Sequence, residues 1–241
     1  ASLLILILVF FSGCHSDQGD IRIMPLGNSI TEGWDSSGLP SRQRIAYREE
    51  LYRQLKSAGY SFDFVGHNRG GFPSVRDRDH AGISGITDGG ILRLLRDGYD
   101  IMNERATTGG ESCLDVYQPD WILLHIGTND ILRGQGPDAD TISMILDHID
   151  SWERDTGKEV VVFLARIINS ADPGPEIAAF NKNIDAIHAR RNDPGLILAD
   201  MEEGAGLDYP EDFKDDVHPN AMGDAKIGMA WFEAIDSWYI D

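Results

Sequence analysis

The stretch Ile21-Arg-Ile-Met-Pro-Leu-Gly-Asn-Ser-Ile-Thr-Glu-Gly33 decides how this chain is organised. Its apolar run from Ile21 to Leu26 predicts a short buried strand, and Gly27 ends that strand in a tight turn. Ser29 follows two residues later, so its hydroxyl is expected at the rim of a sheet, where α/β proteins place their functional groups. Gly-Asn-Ser can equally be an ordinary polar turn. A functional role for Ser29 therefore requires a base and suitable hydrogen-bond donors elsewhere in the chain.

The composition indicates one acidic globular domain. The chain has 241 residues, of which 41% are hydrophobic, and it carries 21 Lys and Arg against 40 Asp and Glu, a net charge of −19. Such a charge argues against a nucleic-acid partner, because phosphate binding needs a basic face. It also argues against polyanionic substrates unless local arginines offset it. The simplest interpretation of the charge is solubility, with a saline environment as an alternative, and the sequence does not indicate an oligomeric state.

The first residues suggest export. Residues 2–11 are almost wholly apolar and precede Ser12-Gly13-Cys14. This run is too short to span a membrane but suits the apolar core of a secretory signal. Small residues before a cysteine resemble the lipobox of bacterial lipoproteins, with a plain signal peptide and an incidental cysteine as the alternative. We therefore expect an exported protein, either secreted or a cell-surface or periplasmic lipoprotein whose membrane attachment is only through a lipidated Cys14. Residues 1–19 are interpreted as signal remnant, lipobox and tether, and residues 20–241 as the folded domain.

Strands alternate with helices through the rest of the chain. The predicted strands cover residues 21–26, 60–65, 121–126, 159–165 and 196–199. The predicted helices cover residues 44–58, 86–95, 113–117, 138–155, 176–190 and 221–239. Residues 66–84 are polar and rich in glycine, and we expect them to form a long loop. This alternation predicts an α/β fold with a mostly parallel sheet covered by helices on both faces.

Two later motifs supply the groups that Ser29 would need. Asn129 ends Gly-Thr-Asn at the end of the predicted 121–126 strand, and His218 ends Asp-Asp-Val-His in the loop before the last helix. A neutral imidazole can take the proton of a serine hydroxyl near neutral pH, so His218 is the candidate base. Asp215 could accept the imidazole N–H and fix its tautomer, with Asp216 as the less favoured alternative. His218 could instead be a capping or core histidine.

These motifs, together with Ser84-Gly-Ile-Thr87, resemble the four blocks of the SGNH hydrolases, a subgroup of the GDSL-type esterases. The blocks occur in family order and at family-like distances after residue 20. Five phrases further resemble the family three carbohydrate esterases, which include acetyl xylan esterases. These phrases are Ile21-Arg-Ile-Met-Pro25, Tyr47-Arg-x-Glu-Leu51, Phe62-Asp-Phe-Val-Gly66, Asp79-His-x-Gly82 and Ser84-Gly-x-Thr87. One departure is Asn28, where these enzymes commonly have Asp.

The resemblance implies both a fold and an activity. The fold would be the three-layer α/β/α, flavodoxin-like SGNH arrangement with a five-stranded parallel sheet. The activity would be that of a serine esterase that removes small acyl groups, most simply acetyl, from a polysaccharide such as xylan or from another small ester. The reaction would pass through an acyl-serine intermediate, with no metal and no organic cofactor. The alternatives are a lysophospholipase or thioesterase acting on longer acyl chains, and an inactive surface glycan-binding lipoprotein.

The resemblance also implies site residues. The catalytic set would be Ser29, Asp215 and His218, and the oxyanion hole would consist of the backbone N–H groups of Ser29 and Gly85 with the side-chain amide of Asn129. A glycine lets the backbone approach a substrate closely, and an amide donates a hydrogen bond without adding charge. Asn129 could instead be a helix cap, and Gly85 could simply give the loop flexibility.

Several other residues are assigned to supporting or structural roles. Three are expected to support the site without reacting: Asn28, Arg48 and Asp130. Trp34 and Tyr209 could line a sugar-binding cleft or could simply pack. A metal site could be suggested by Asp77, Asp79 and His80, but their spacing fits no definite metal geometry. His125 lies within a predicted buried strand and is interpreted as a core histidine.

Overall fold

A computed structural model describes residues 20–34 and 37–240, so the predicted signal, lipobox and Cys14 lie outside the described residues. Within this part of the chain there are nine strands and eight α-helices. The strands are β1 (Ile21–Gly27), β2 (Phe62–Phe64), β3 (Asn68–Arg69), β4 (Asp79–Gly82), β5 (Tyr99–Asp100), β6 (Arg105–Ala106), β7 (Trp121–His125), β8 (Val161–Arg166) and β9 (Leu196–Asp200). The helices are α1 (Ser29–Glu32), α2 (Arg48–Ser57), α3 (Asp88–Asp97), α4 (Cys113–Tyr117), α5 (Thr128–Leu132), α6 (Asp140–Thr156), α7 (Pro175–Arg191) and α8 (Ala221–Ile240).

The five predicted strands form the parallel centre of the sheet. Their spatial order is β2-β1-β7-β8-β9, which is the flavodoxin-like order. The register pairs Met24 of β1 with Ile122 of β7, and Ile122 with Val162 of β8. The fold class predicted from the alternation of elements and from the family resemblance is therefore confirmed.

Two short strands extend this sheet beyond the five that were predicted. β4 pairs in parallel with the end of β1, joining Leu26 to Ala81 and Gly27 to Gly82, and β3 pairs with β4 in the antiparallel direction. The prediction of a continuous loop over residues 66–84 is therefore wrong for these segments. The sequence Asp-His-Ala-Gly has little β propensity, and β4 exists because the end of β1 leaves an edge that β2 does not cover. A separate two-stranded sheet, β5 with β6, was also not predicted.

Alternate residues of the central strands face two separate cores. On one face Met24, Ile122 and Leu124 pack among the side chains of α3, α4, α6 and α7. On the other face Ile23 and Leu123 pack among those of α2 and α8. The sheet is therefore buried on both faces, which gives the three α/β/α layers. No helix in the described part of the chain is long and apolar enough to cross a membrane.

The start of α2 differs from its prediction. A 3₁₀ turn occupies Ser41–Gln43, and α2 begins only at Arg48, four residues later than predicted. Ala46 has a positive φ of 50°, which interrupts the helix that the apolar spacing predicted. The consequence is that Arg48 lies in the first turn of α2, where it faces the carboxyl end of β1.

Candidate active site

Ser29 is held at the carboxyl end of β1 by the first turn of a short helix. At Gly27 a Cβ atom would lie 2.4 Å from the carbonyl oxygen of His125, so a glycine is needed for β1 to end this close to β7. Asn28 then caps α1, because its Oδ1 accepts a hydrogen bond from the N–H of Ile30 at 2.9 Å. Ser29 is the first residue of α1 and is 7% exposed. Its hydroxyl therefore has a fixed place at the rim of the sheet.

The structure brings Ser29, His218 and Asp215 into one hydrogen-bonded chain. His218 Nε2 lies 2.8 Å from Ser29 Oγ. His218 Nδ1 lies 2.9 Å from Asp215 Oδ1 and 3.0 Å from Oδ2. Because a carboxylate can only accept, Nδ1 carries the hydrogen and Nε2 of the neutral ring is left to accept the serine proton. This is the arrangement required for a base-activated nucleophile.

Asp215 is placed to remain ionised. Burial raises the pKa of its carboxyl, but hydrogen bonds from the N–H groups of Val217 and His218 and from the imidazole outweigh that effect and hold the pKa below the ordinary value. Trp34 packs at the other side of the imidazole, with ring centroids 4.9 Å apart and planes inclined at 53°. The imidazole is thus held between a carboxylate and an aromatic ring.

Gly85 lies in a backbone conformation that favours glycine. Its φ is +79°, and a Cβ atom there would lie 2.9 Å from the terminal carbon of Met102. The residue before it is fixed by Glu32 of α1, whose Oε2 accepts hydrogen bonds from Ser84 N at 2.8 Å and from Ser84 Oγ at 2.5 Å. Arg133 donates to the Gly85 carbonyl oxygen at 2.7 Å. The Gly85 peptide is therefore anchored on both sides.

Asn129 stands at the start of α5, where its amide reaches the Gly85 segment. Asn129 Nδ2 donates to the carbonyl oxygen of Ile86 at 2.8 Å. An amide nitrogen carries two hydrogens, so this bond uses one and orients the other. The β1 segment is joined to the same loop by the bond from Ile83 N to Gly27 O at 3.0 Å. The three segments that carry the predicted oxyanion donors are therefore bonded to one another.

A protein-family model described as the GDSL-like lipase/acylhydrolase family matches residues 26–226. The chain belongs to this family. The resemblance inferred from the four sequence blocks is therefore confirmed, and the described domain is a carboxylic ester hydrolase. The match includes all the residues that form the hydrogen-bonded chain, from Ser29 to His218.

Named relatives of this GDSL-family domain are esterases. A multidomain esterase of Ruminococcus flavefaciens is 32% identical over 237 residues, which is 92% of this chain and 29% of the relative. The chain therefore spans less than a third of that protein's length. A family 3 carbohydrate esterase of Clostridium thermocellum has a similar structure, with 31% identity, a TM-score of 0.70 and coverage of 92% of this chain and 98% of that one. A family 3 carbohydrate esterase of Talaromyces cellulolyticus, 24% identical over 92% of this chain and 99% of that chain with a TM-score of 0.68, shares the fold.

In this GDSL-family domain, Arg48 and Asn28 both contact α1, the helix that begins at Ser29. Arg48 is fully buried and donates from Nε to Thr31 O at 3.0 Å and from Nη2 to Glu32 O at 3.3 Å and Arg44 O at 3.0 Å. Burial lowers the pKa of this guanidinium to about 10, so it remains a cation at neutral pH. Its charge thus lies beside carbonyl groups at the end of α1.

Three residues of the site were not predicted from the sequence. Glu32 and Arg133 anchor the Gly85 loop, and Asp88 contacts Asp130, the third residue that was expected to support the site. Glu32 follows Ser29 at helical spacing, which could have indicated a shared face. The partners of Arg133 and Asp88 are 48 and 42 residues away in sequence, and no local signal reveals such pairs.

The remaining candidates lie at structural positions. His125 is buried in β7, where its Nε2 accepts from Ile168 N at 3.4 Å. Tyr209 stacks on Phe213 with ring centroids 5.0 Å apart and accepts from Asn169 N at 3.1 Å. Within the described residues, no group of three or more His, Cys, Asp or Glu side chains is arranged to hold a metal ion. The expectation of a cofactor-free reaction stays a prediction.

Proposed function

We propose that this GDSL-family domain hydrolyses short acyl esters, most simply acetyl esters on a polysaccharide such as xylan, through an acyl-serine intermediate. The observation that carries the proposal is the 2.8 Å distance from His218 Nε2 to Ser29 Oγ, with Asp215 on the opposite ring nitrogen. The identity with esterases over nearly the whole domain supports the same reaction class.

The first half of the reaction forms the acyl-enzyme. Ser29 Oγ attacks the ester carbonyl carbon while His218 Nε2 takes the hydroxyl proton, and Asp215 stabilises the imidazolium that results. The carbonyl oxygen becomes an oxyanion, which accepts hydrogen bonds from the N–H groups of Ser29 and Gly85 and from Asn129 Nδ2. His218 then gives its proton to the leaving alcohol oxygen as the ester C–O bond breaks.

The second half repeats these steps with water. His218 takes a proton from a water molecule, whose oxygen attacks the carbonyl carbon of the acyl-serine. The same three donors stabilise the second oxyanion, and the proton returns to Ser29 Oγ as the acid is released. Atoms balance as one ester and one water giving one acid and one alcohol.

The choice of a carbohydrate ester rests on the relatives. Two structurally similar proteins are named family 3 carbohydrate esterases, and one of these is 31% identical to this chain. Trp34, half-buried beside His218, adds an aromatic surface of the kind on which sugar rings pack. The test is release of acetate from acetylated xylan, compared with other acetylated polysaccharides. Release from none of them, with turnover of simple acetates, would limit the proposal to small esters.

The reaction class is tested by changing Ser29. We expect Ser29→Ala to lower the rate on a chromogenic acetate by at least about a thousandfold, because no other group supplies the nucleophile. Ser57→Ala, an exposed serine on α2, is the matched control and should leave the rate unchanged. Equal rates in wild type and Ser29→Ala would overturn the proposal, and rates in both that do not exceed spontaneous hydrolysis would favour a glycan-binding role.

A cleft beside the site gives the longer-chain alternative a specific basis. It encloses about 530 Å³, and five of the residues that line it are Thr128, Ile131, Leu132, Ile177 and Val217. Thr128 and Val217 directly precede Asn129 and His218, so the cleft adjoins the proposed centre. Initial rates on acetyl and decanoyl esters of the same alcohol decide between the two candidates. Faster turnover of the decanoyl ester would favour a lipase-like or thioesterase-like activity.

Export and lipidation are a separate proposal. The apolar residues 2–11 and the Ser-Gly-Cys14 sequence support attachment through a lipidated Cys14. Mass spectrometry of the protein expressed in a bacterium with lipoprotein processing should show a diacylglyceryl mass at Cys14, and Cys14→Ser should lack it. An unmodified cysteine in the mature wild-type protein would contradict lipidation.

A further inference from the structure

Two buried carboxyl groups meet directly behind the proposed oxyanion hole. Asp88 begins α3 and Asp130 lies in α5, and the two residues are 7% and 2% exposed. The N–H of Asp88 donates to Asp130 Oδ2 at 3.2 Å. Asp130 Oδ1 is buried and accepts no hydrogen bond from any N–H or O–H donor in the described residues. An ionised Oδ1 would lose its hydrogen bonds to water on burial and would gain no other donor in exchange. A protonated Oδ1 can instead donate a hydrogen bond to Asp88.

The surroundings favour a proton on Asp130 and a charge on Asp88. Asp88 lies in the first turn of α3, where the helix dipole stabilises a negative charge, and its Oδ1 accepts from Gly89 N at 2.5 Å. Burial, and then the charge of Asp88, raises the pKa of Asp130 to about 7. The pair therefore holds one proton below neutral pH and loses it as the pH rises through about 7.

The other charged groups near this pair do not replace that proton. Arg133, the residue that caps the end of α5, directs its guanidinium to Gly85 O. His125 at the end of β7 contacts Ile168, in the core on the other face of the sheet, and burial lowers its pKa to about 4, so it is neutral near pH 7. The neighbouring helices α6 and α7 contribute apolar side chains to this core, among them Ile142, Ile145, Ile177 and Phe180.

The pair joins the same two segments as the oxyanion donors. Asp130 follows Asn129 directly, and Asp88 lies three residues after Gly85. Between them runs the bond from Asn129 Nδ2 to Ile86 O at 2.8 Å. Two like charges in this buried place would push α3 and α5 apart and would lengthen that bond.

We propose that Asp88 and Asp130 share a proton that positions the Gly85 and Asn129 donors, and that loss of this proton separates the two segments and lowers turnover. This inference rests on the proposed function. The two aspartates are positioning residues, since they act on the oxyanion through Gly85 and Asn129. Because those donors act on charge that develops in the transition state, the effect falls on kcat and leaves KM nearly unchanged.

The direction of the pH effect follows from the chemistry. Base catalysis by His218 needs a neutral imidazole, so it alone gives a rate that rises with pH and then stays level. Loss of the shared proton adds a fall above pH 7. Misplacing one oxyanion donor costs up to about a hundredfold to a thousandfold, and a partial displacement should give about a tenfold fall in kcat between pH 7 and pH 9.

The experiment measures kcat and KM on a chromogenic acetate from pH 6 to pH 9, corrected for spontaneous hydrolysis, in wild type, Asp130→Asn and Asp88→Asn. An amide in place of either carboxyl can donate to its partner at every pH. We therefore expect both variants, whatever their rates at pH 7, to keep a level kcat up to pH 9. Exposed Asp155→Asn is the control and should follow the wild-type profile.

Each of several results would overturn the inference. A wild-type kcat that stays level to pH 9 would do so, as would an equal fall in the variants. A wild-type fall that accompanies loss of the near-ultraviolet circular dichroism signal would also contradict it, since separating two segments leaves the fold intact. If Asp130→Asn does not fold, the pH profile of kcat in Asp88→Asn still tests the inference. All of these results are read from a wild type whose turnover depends on Ser29. Failure of the proposed function would instead appear as a rate that does not depend on Ser29, so the two failures can be distinguished.

Discussion

At the scale of single residues, Asn129 shows how one side chain serves two purposes. One hydrogen of its amide is used for Ile86 O, and the other is free for the proposed oxyanion contact. Sequence motifs pointed to Ser29, Asn129 and His218, because each directly follows or precedes a recognisable strand, turn or helix, and the structure places His218 Nε2 2.8 Å from Ser29 Oγ; their roles stay predictions. The motifs were not sufficient to find Glu32, Arg133 and Asp88. Those residues act through partners that only the folded chain brings near.

Removing the Asn129 amide should affect the transition state far more than substrate binding. We expect Asn129→Ala to lower kcat about a hundredfold to a thousandfold, or about 2.7–4 kcal/mol, with little change in KM. Steady-state kinetics on a chromogenic acetate measure both constants. Asn183→Ala, exposed on α7, is the control. A large rise in KM with normal kcat would show that Asn129 binds the ground state instead.

At the scale of elements, the nucleophile helix α1 is too short to hold itself in place. It has four residues and is fixed by its neighbours. β4 packs so closely that a Cβ on Gly82 would lie 2.6 Å from Glu32 N, and Arg48 of α2 binds its last carbonyl groups. Periodicity predicted β1 and α2, since both have a clear apolar pattern. It could not predict β4, because this strand depends on pairing with a distant edge rather than on its own side chains.

Replacing Arg48 should therefore loosen α1 and destabilise the fold. Arg48→Met keeps much of the volume but leaves the carbonyl oxygens of Thr31, Glu32 and Arg44 without that donor. We expect a loss on the order of 3 kcal/mol in the free energy of unfolding, measured by chemical denaturation. Arg53→Met, on the exposed face of the same helix, should change it by less than about 1 kcal/mol. Equal losses in the two variants would contradict a special role for Arg48.

At the scale of the whole molecule, the core holds titratable groups whose pKa shifts act in opposite directions. Burial lowers the pKa of His67 and of His125 to about 4. These rings favour folding while neutral, so their contribution is complete above pH 6.5 and is lost as the pH falls toward 4. Burial raises the pKa of Asp77 to about 6 and that of Asp130 to about 7. The contribution of these carboxyl groups to stability has the opposite pH dependence to that of the histidines. Folding is favoured while the carboxyl groups are protonated, so their contribution is lost as the pH rises from about 4.

A single variant separates the histidine contribution from the rest. The fall in the free energy of unfolding between pH 7 and pH 4.5 should be smaller by about 2 kcal/mol in His125→Gln than in wild type. A glutamine oxygen can still accept from Ile168 N, which His125 now binds. His188→Gln, half-buried on α7, is the control. An unchanged pH dependence in His125→Gln would mean that this ring ionises equally in both states.

The proposed nucleophile, Ser29, and its proposed base, His218, come from opposite ends of the domain, 189 residues apart in sequence. A ribosome therefore makes Ser29 189 residues before it makes His218. The nascent chain can form β1 and its neighbours while the hydroxyl still has no base, and it cannot attack esters until nearly the whole domain has been synthesised. On the proposed function, turnover is thus a report of completed folding of this domain, which makes a simple acetate assay a sensor of chains that stop short of His218.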